Sequence, residues 1–289
     1  MRQNSTFLVF VLLLLLLGSV AEAQNLRCTY HFRSLNTRNN QFRMSERKLD
    51  CFNGRFAFYE ENVFLADSLE NLAFDENGKA LDNQAYAERS RMRGPGFRDV
   101  SLTDQRAGTL VQCYQTATVF VIGNDNLELP AWELQEDTCT VAGYRAQKAV
   151  AEYLGRKWEI WFTSELPVSS GPWLLWGAPG LIVRASDTDS LFCFELQGME
   201  ELGSPSRIDF LKWFHLDRKK SRKNHFELPL LRAESVNYKV RTDIDFLYEA
   251  SGMPGRKTYR LDSSGEKQYV QLPPYIPLIP IEYGKNQLK

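Results

Sequence analysis

Tyr144-Arg145-Ala146-Gln147-Lys148-Ala149-Val150-Ala151-Glu152-Tyr153, then Leu154-Gly155, then Arg156-Lys157-Trp158-Glu159-Ile160-Trp161-Phe162-Thr163 reads as two strands joined by a turn at Gly155. In the second strand Trp158, Ile160 and Phe162 share one face, opposite Lys157, Glu159 and Trp161. Side chains two apart on a strand point the same way, so this alternation predicts a half-buried strand. The same period recurs elsewhere. Leu26, Cys28, Tyr30 and Phe32 oppose Arg27, Thr29, His31 and Arg33, and Leu110 to Ile122 reads as one long Val/Thr/Phe/Tyr-rich strand. Leu181 to Ala185 and Ser190 to Leu196 fit a hairpin across Ser186-Asp187-Thr188-Asp189, a run of turn formers. Strands at such short spacing, without a strand–helix rhythm, predict a mainly β fold: a curved antiparallel sheet or an open barrel.

One principal helix, about 204–220, is expected to pack on that sheet. Ser204-Pro205 offers an N-cap followed by a first-turn proline, and Ser206 with Asp209 offers a capping box. Ile208, Leu211 and His215 form its apolar stripe, widened by Phe210, Trp213 and Phe214. Its end, Arg218 to Lys223, places positive charge at the negative pole of the helix. A second short helix is expected over Asp243 to Glu249. The polar stretch from about Glu60 to Gln105 reads as long connections carrying short strands. The tail 272–289, with Pro273, Pro274, Pro277 and Pro280 among Tyr275, Ile276, Leu278 and Ile279, reads as extended chain lying in a groove or along a sheet edge.

The whole chain has 289 residues, 43% hydrophobic and 25% charged, the composition of a folded domain. Thirty-five basic against 36 acidic residues give a net charge of −1, so no chain-wide basic field exists to hold nucleic acid. Residues 1–23 read as a secretory leader: Arg2, the apolar run Phe7–Leu17, and Ala21-Glu22-Ala23 as the cleavage pattern. That run is shorter than the roughly 20 residues a spanning helix needs. Residues 24–289 are therefore expected to form one domain that is secreted to the periplasm or beyond and does not span the membrane. In such a compartment Cys28, Cys51, Cys113, Cys139 and Cys193 are expected to give one or two disulfides and a buried thiol. Cys28 with Cys51 and Cys113 with Cys139 are the pairs suggested.

Gly171-Pro172-Trp173-Leu174-Leu175-Trp176-Gly177-Ala178-Pro179-Gly180-Leu181-Ile182 differs in character from the rest. Ala178 to Leu181 suits a type II turn, with proline setting the first central position and glycine accepting positive φ at the second. The hexamer Gly177–Ile182 resembles the signature of the GLPGLI family, with Ala178 in place of leucine. The flanks are similar too: Trp132, Gly143-Tyr144, Gln147-Lys148-Ala149, Gly155-Arg156, Trp161-Phe162-Thr163, Ser170-Gly171-Pro172-Trp173 and Pro280-Ile281-Glu282-Tyr283. Ala146 stands where the family commonly has cysteine. The resemblance implies a secreted protein of Bacteroidota, of a kind often encoded beside outer-membrane TonB-dependent receptors; it implies no reaction. A fold-level analogy with periplasmic lipoprotein carriers would suit the strands and the helix.

No Gly-x-Ser-x-Gly elbow, zinc-protease, calcium-loop or phosphate-cradling pattern is present, and no two of His31, His215 and His225 have metal-binding spacing. Neither catalytic residue, metal nor cofactor is assigned. The function expected is a noncatalytic binding protein of the cell envelope. Trp158, Ile160, Phe162, Trp173 and Trp176 would wall a pocket for a hydrophobic ligand or partner, and Gly177, Pro179 and Gly180 would hold the loop. The competing readings are an interaction module serving an outer-membrane receptor and a hydrolase whose residues meet only in space.

Overall fold

The structure, a computed structural model, describes residues 25–37, 39–62, 81–92, 98–115, 119–203, 224–272 and 274–283, with positions 65, 69 and 72. The leader at 1–23, the helix expected at 204–220, its basic run and residues 284–289 lie outside the described residues.

Period-two patterning produces strands almost throughout. They are β1 (Leu26–Asn36), β2 (Gln41–Phe52), β3 (Arg55–Tyr59), β4 (Arg98–Asp104), β5 (Thr109–Gln115), β6 (Val119–Asn126), β7 (Glu133–Val141), β8 (Tyr144–Tyr153), β9 (Arg156–Thr163), β10 (Leu181–Asp187), β11 (Phe192–Glu201) and β12 (Asn224–Pro229). All twelve join one open sheet in the order β12-β6-β5-β4-β3-β2-β1-β11-β10-β9-β8-β7. Pairing is antiparallel except for β12, which lies parallel to β6. Two meanders, β1–β6 and β7–β11, are thus welded where β1 pairs β11.

Several hairpins turn on X-Gly pairs with positive φ at both residues: Asn53-Gly54, Ala142-Gly143 and Leu154-Gly155. That geometry matches the twist of the flanking strands. Buried side chains from β5 and β7, near opposite ends of the strand order, belong to one apolar cluster. The sheet therefore curves around a shared core. On the reverse face Ala57, Tyr59, Val100, Leu102, Cys113 and Ile122 form a second cluster. Beside it Asp50, fully enclosed, accepts from Arg27 Nε and Nη2 (2.7 and 2.8 Å) and from Tyr59 Oη (3.0 Å).

Helices are short. α1 (Asn83–Met92) starts at Asp82, whose Oδ1 accepts from the amides of Gln84 and Ala85. α2 (Leu230–Thr242) follows Pro229 directly and packs on β5, β6 and β12. α3 (Ile244–Ala250) is the short helix expected near 243–249, capped by Asp243. Tyr259–Leu261 (β13) and Lys267–Tyr269 (β14) form a separate small hairpin.

Three expectations need correcting. Leu110–Ile122 is two antiparallel strands, β5 and β6, with Gln115 opposite Phe120. Both strands are buried on both faces, so no change of alternation marks the reversal. The stretch 60–105 holds α1 as well as β4. A helix that packs on the sheet among the described residues, α2, comes in addition to the one expected at 204–220. All five cysteines are free. Cys28 and Cys51 are buried on the paired strands β1 and β2 and are not bonded to each other. Cys113 and Cys139 do not meet, because Cys113 belongs to the reverse-face cluster whereas Cys139 packs against the main core.

Candidate functional site

The loop between β9 and β10 is fixed by its backbone. Ile182 N donates to Ser170 O (2.9 Å), Leu181 N to Leu166 O (3.0 Å), and Ser169 Oγ to Ala178 O (3.0 Å). Gly180 has φ +148°, and its amide donates to Ala178 O (2.7 Å), a tight bend over Pro179. The expected type II closure, Leu181 N to Ala178 O, is absent because Leu181 N is taken by Leu166. A Cβ on Gly180 would lie 2.0 Å from Thr163 O, so the loop touches β9 backbone to backbone. After the loop β10 slips register between Ile182 and Arg184, and Tyr30 Oη donates to Ile182 O (2.7 Å) beside the irregularity.

The aromatic residues expected to wall a pocket do come together, but most lie inside the core. Trp158 and Ile160 are wholly buried, and Phe162 and Trp173 nearly so. The rings of Trp158 and Trp173 lie 5.7 Å apart, and Trp158 also meets Phe194 at 6.3 Å. Trp173 has φ +57°, a left-handed conformation that disfavours a bulky side chain by about 1–2 kcal/mol and is offset here by ring packing. The Trp158 indole N–H is buried without a hydrogen-bond partner among the described residues. Trp176 stands apart at the rim: its Nε1 donates to Glu128 O (3.0 Å), and its carbonyl accepts from Trp132 Nε1 (2.7 Å). Trp176→Phe is therefore expected to lower stability by only about 1 kcal/mol, one exposed-side hydrogen bond, in urea unfolding.

The second assembly is built on Gly155-Arg156. The Arg156 side chain is 7% exposed. Its Nη1 pairs Asp187 Oδ2 (3.0 Å), Nε donates to Leu278 O (2.8 Å), and Nη2 donates to Pro277 O (2.8 Å). The Phe192 ring lies under the guanidinium at 4.8 Å, and Phe192 N donates to the other Asp187 oxygen (2.8 Å). Around this clamp the segment 274–283 is laid down as a strap. Thr37 Oγ1 donates to Pro274 O, Ile279 is buried in the core, and Tyr283 covers Gly155 so closely that a Cβ there would lie 2.5 Å away.

The strap also closes a buried polar cluster. Glu234 of α2 accepts from Tyr114 Oη and from Asn237 Nδ2 (3.3 Å). Arg241 Nε donates to Asn237 Oδ1 (2.6 Å), and its Nη2 pairs Asp99 Oδ1 (2.6 Å). The Tyr275 ring of the strap caps that guanidinium at 4.6 Å. Burial pushes the Glu234 carboxyl up to about 7, against the pull of its hydrogen bond from Tyr114 and the Arg241 charge. Burial likewise raises the Tyr114 phenol, so it remains a donor.

No protein family matches the chain, and no curated protein matches it. Two solved structures of PNGF-II, in C2 and P21 crystal forms, are similar to it at 16% identity, with TM-scores of 0.48 and 0.49. Each match covers 76% of this chain and 34% of that one, so the chain spans about a third of the length of those proteins. A likeness this remote carries nothing about substrate or reaction.

The sequence reading missed Arg156, Asp187 and Glu234. Gly155-Arg156 was visible as a family-like pair, and the α2 residues share one face at helical spacing. Among the described residues no group of three or more His, Cys, Asp or Glu could hold a metal ion, and no helix is long and apolar enough to cross a membrane.

Proposed function

We propose that this is a noncatalytic binding protein of the cell envelope, exported by its leader, that holds an apolar ligand on the concave face of the sheet. Trp158, Ile160, Phe162 and Trp173 are the floor beneath that face, and Trp176 with Gly177, Pro179 and Gly180 belongs to its rim. One observation carries the reading: a deeply buried Arg156 grips two successive carbonyls of a chain laid across the face, with Ile279 sunk into the core below. A surface that takes up an apolar segment in this way is suited to apolar occupants with few polar anchors. An accessory role at an outer-membrane receptor is compatible with such binding. The hydrolase reading has one feature on its side, the neutral-range carboxyl of Glu234. Both of its oxygens already accept hydrogen bonds within the fold, which favours a structural role.

Mass spectrometry of organic extracts from full-length protein, purified without detergent from its native envelope, tests the reading. Stoichiometric recovery of an apolar molecule or peptide is expected. An empty extract overturns it.

A further inference from the structure

We propose that the outer end of the β1–β2 hairpin is a docking face for the surface of an anionic membrane. Such docking goes beyond the binding reading above and does not depend on it. From Arg33 to Ser45 the sequence holds Arg33, Arg38 and Arg43 and no Asp or Glu. In a chain with 35 basic and 36 acidic residues, that run is a local excess of positive charge. The same stretch leaves large apolar side chains in water: Phe42 is 50% exposed and Met44 61%. Apolar side chains set among cations are the combination that an anionic lipid surface rewards twice, by burial and by charge.

Strand register places these groups together. Arg33 lies opposite Met44, Leu35 opposite Phe42, and Ser34 opposite Arg43. Directly opposed residues share a face, so Arg33, Leu35, Phe42 and Met44 lie on one side of the hairpin and Arg43 on the other. The Arg33 guanidinium rests over the exposed Phe42 ring, 4.2 Å from its centroid. In a headgroup layer that ring reaches the acyl boundary while the guanidinium stays level with phosphate oxygens. The acid next along β2, Glu46, is paired with Lys48 (2.9 Å) and does not offset the arginines.

β3 pairs with β2 only from Lys48 onward, so between Gln41 and Arg47 β2 has β1 as its one strand neighbour among the described residues. A free edge also suits an acidic partner strand. Such a strand would meet β2 alone and leave Arg33, on β1, without an anion, whereas a headgroup layer meets both strands at once. The β13–β14 hairpin supplies a contrast. It exposes Tyr259, Leu261 and Tyr269, but its turn carries Asp262 and Glu266, which an anionic surface repels.

The test sediments the protein, purified without detergent from its native envelope, with vesicles of phosphatidylglycerol or of phosphatidylcholine. Binding to phosphatidylglycerol is expected at about 0.1 M salt. It should be at least roughly tenfold weaker on phosphatidylcholine, and again at about 1 M salt, where the screening length shrinks from about 10 Å to about 3 Å. Arg43→Glu changes the local charge by two and should weaken binding roughly 25-fold, at about fivefold per charge near the surface; Arg43→Lys should retain it. Phe42→Ser combined with Met44→Ser should weaken binding at least roughly tenfold. Leu261→Ser, a comparable loss on the β13–β14 hairpin, should leave it within about twofold. All four positions are exposed, so the variants keep their core. No binding to phosphatidylglycerol, equal binding to both lipids, or an equal loss in Leu261→Ser overturns the proposal. Capture by an acidic strand peptide without binding to vesicles assigns the face to a protein partner and also overturns it. An empty organic extract removes the binding reading above and leaves membrane docking standing.

Discussion

Gly180→Ala is expected to destabilise the protein by about 4 kcal/mol, enough to bring a domain of ordinary stability close to unfolding. Two effects combine. The residue has φ +148°, a region essentially restricted to glycine, and an added Cβ would lie 2.0 Å from the Thr163 carbonyl oxygen. The obstacle is backbone of β9, which cannot swing aside as a side-chain tip could. Two other glycines serve as controls. Gly143 has φ +86° with nothing within 4 Å of its Cβ position, so alanine there carries only the backbone penalty of about 1–2 kcal/mol. At Gly177 the clash is with Leu129 Cδ1, the end of a side chain that is 64% exposed and can move. Urea denaturation of the three variants should rank Gly180 far above Gly177 and Gly143. Equal losses would mean that the loop is not pinned against β9.

That contrast bears on what could be read from the residues alone. The strands 144–153 and 156–163 were legible because Ala149, Ala151 and Tyr153 in one and Trp158, Ile160 and Phe162 in the other are buried in alternation, and alternation reports a one-sided environment. The β5–β6 reversal was illegible because both strands bury both faces. α2 was illegible for the opposite reason. Its buried face is Leu230, Ala233, Glu234, Asn237, Val240 and Arg241, half of it polar, so hydrophobic periodicity is diluted by the groups that make the cluster. The tryptophan motif pointed to a rigid corner, but whether its rings line a cavity or fill a core depends on what packs over them. The tail reads as extended from its prolines, but its described part bends at 278–279 and ends in a helical turn at 281–283. Its seat was not legible, since Arg156 meets Pro277 and Leu278 across more than a hundred residues of chain and carbonyl contacts leave no trace in side-chain identity.

Glu234 makes the pH dependence of stability the most informative solution measurement. Its carboxyl is raised from an ordinary value of 4.5 to about 7 by burial. The folded state then holds the proton more tightly than the unfolded state, so its contribution is fully present below about pH 4.5 and is lost as pH rises towards 7. The groups facing it are Tyr114 from β5, Asp99 from β4, Asn237 and Arg241 from α2, and Tyr275 from the strap. Tyr114 stays protonated through this window, and the Arg241 charge is constant, leaving Glu234 as the responding member. Glu234→Gln keeps an uncharged group of the same shape and removes the titration. The variant should match the parent at pH 5 and exceed it by about 2–3 kcal/mol at pH 8, a shift of 2.5 pH units at 1.36 kcal/mol each being the ceiling. Because Tyr275 caps Arg241 in the same cluster, limited proteolysis of the tail should also slow at pH 8 in the variant. Parent stability that is flat between pH 5 and 8, with no gain in Glu234→Gln, would show that the carboxyl is already ionised and compensated inside the fold. The cluster would then be an ordinary buried ion pair network, with no pH-dependent hold on α2 or the strap.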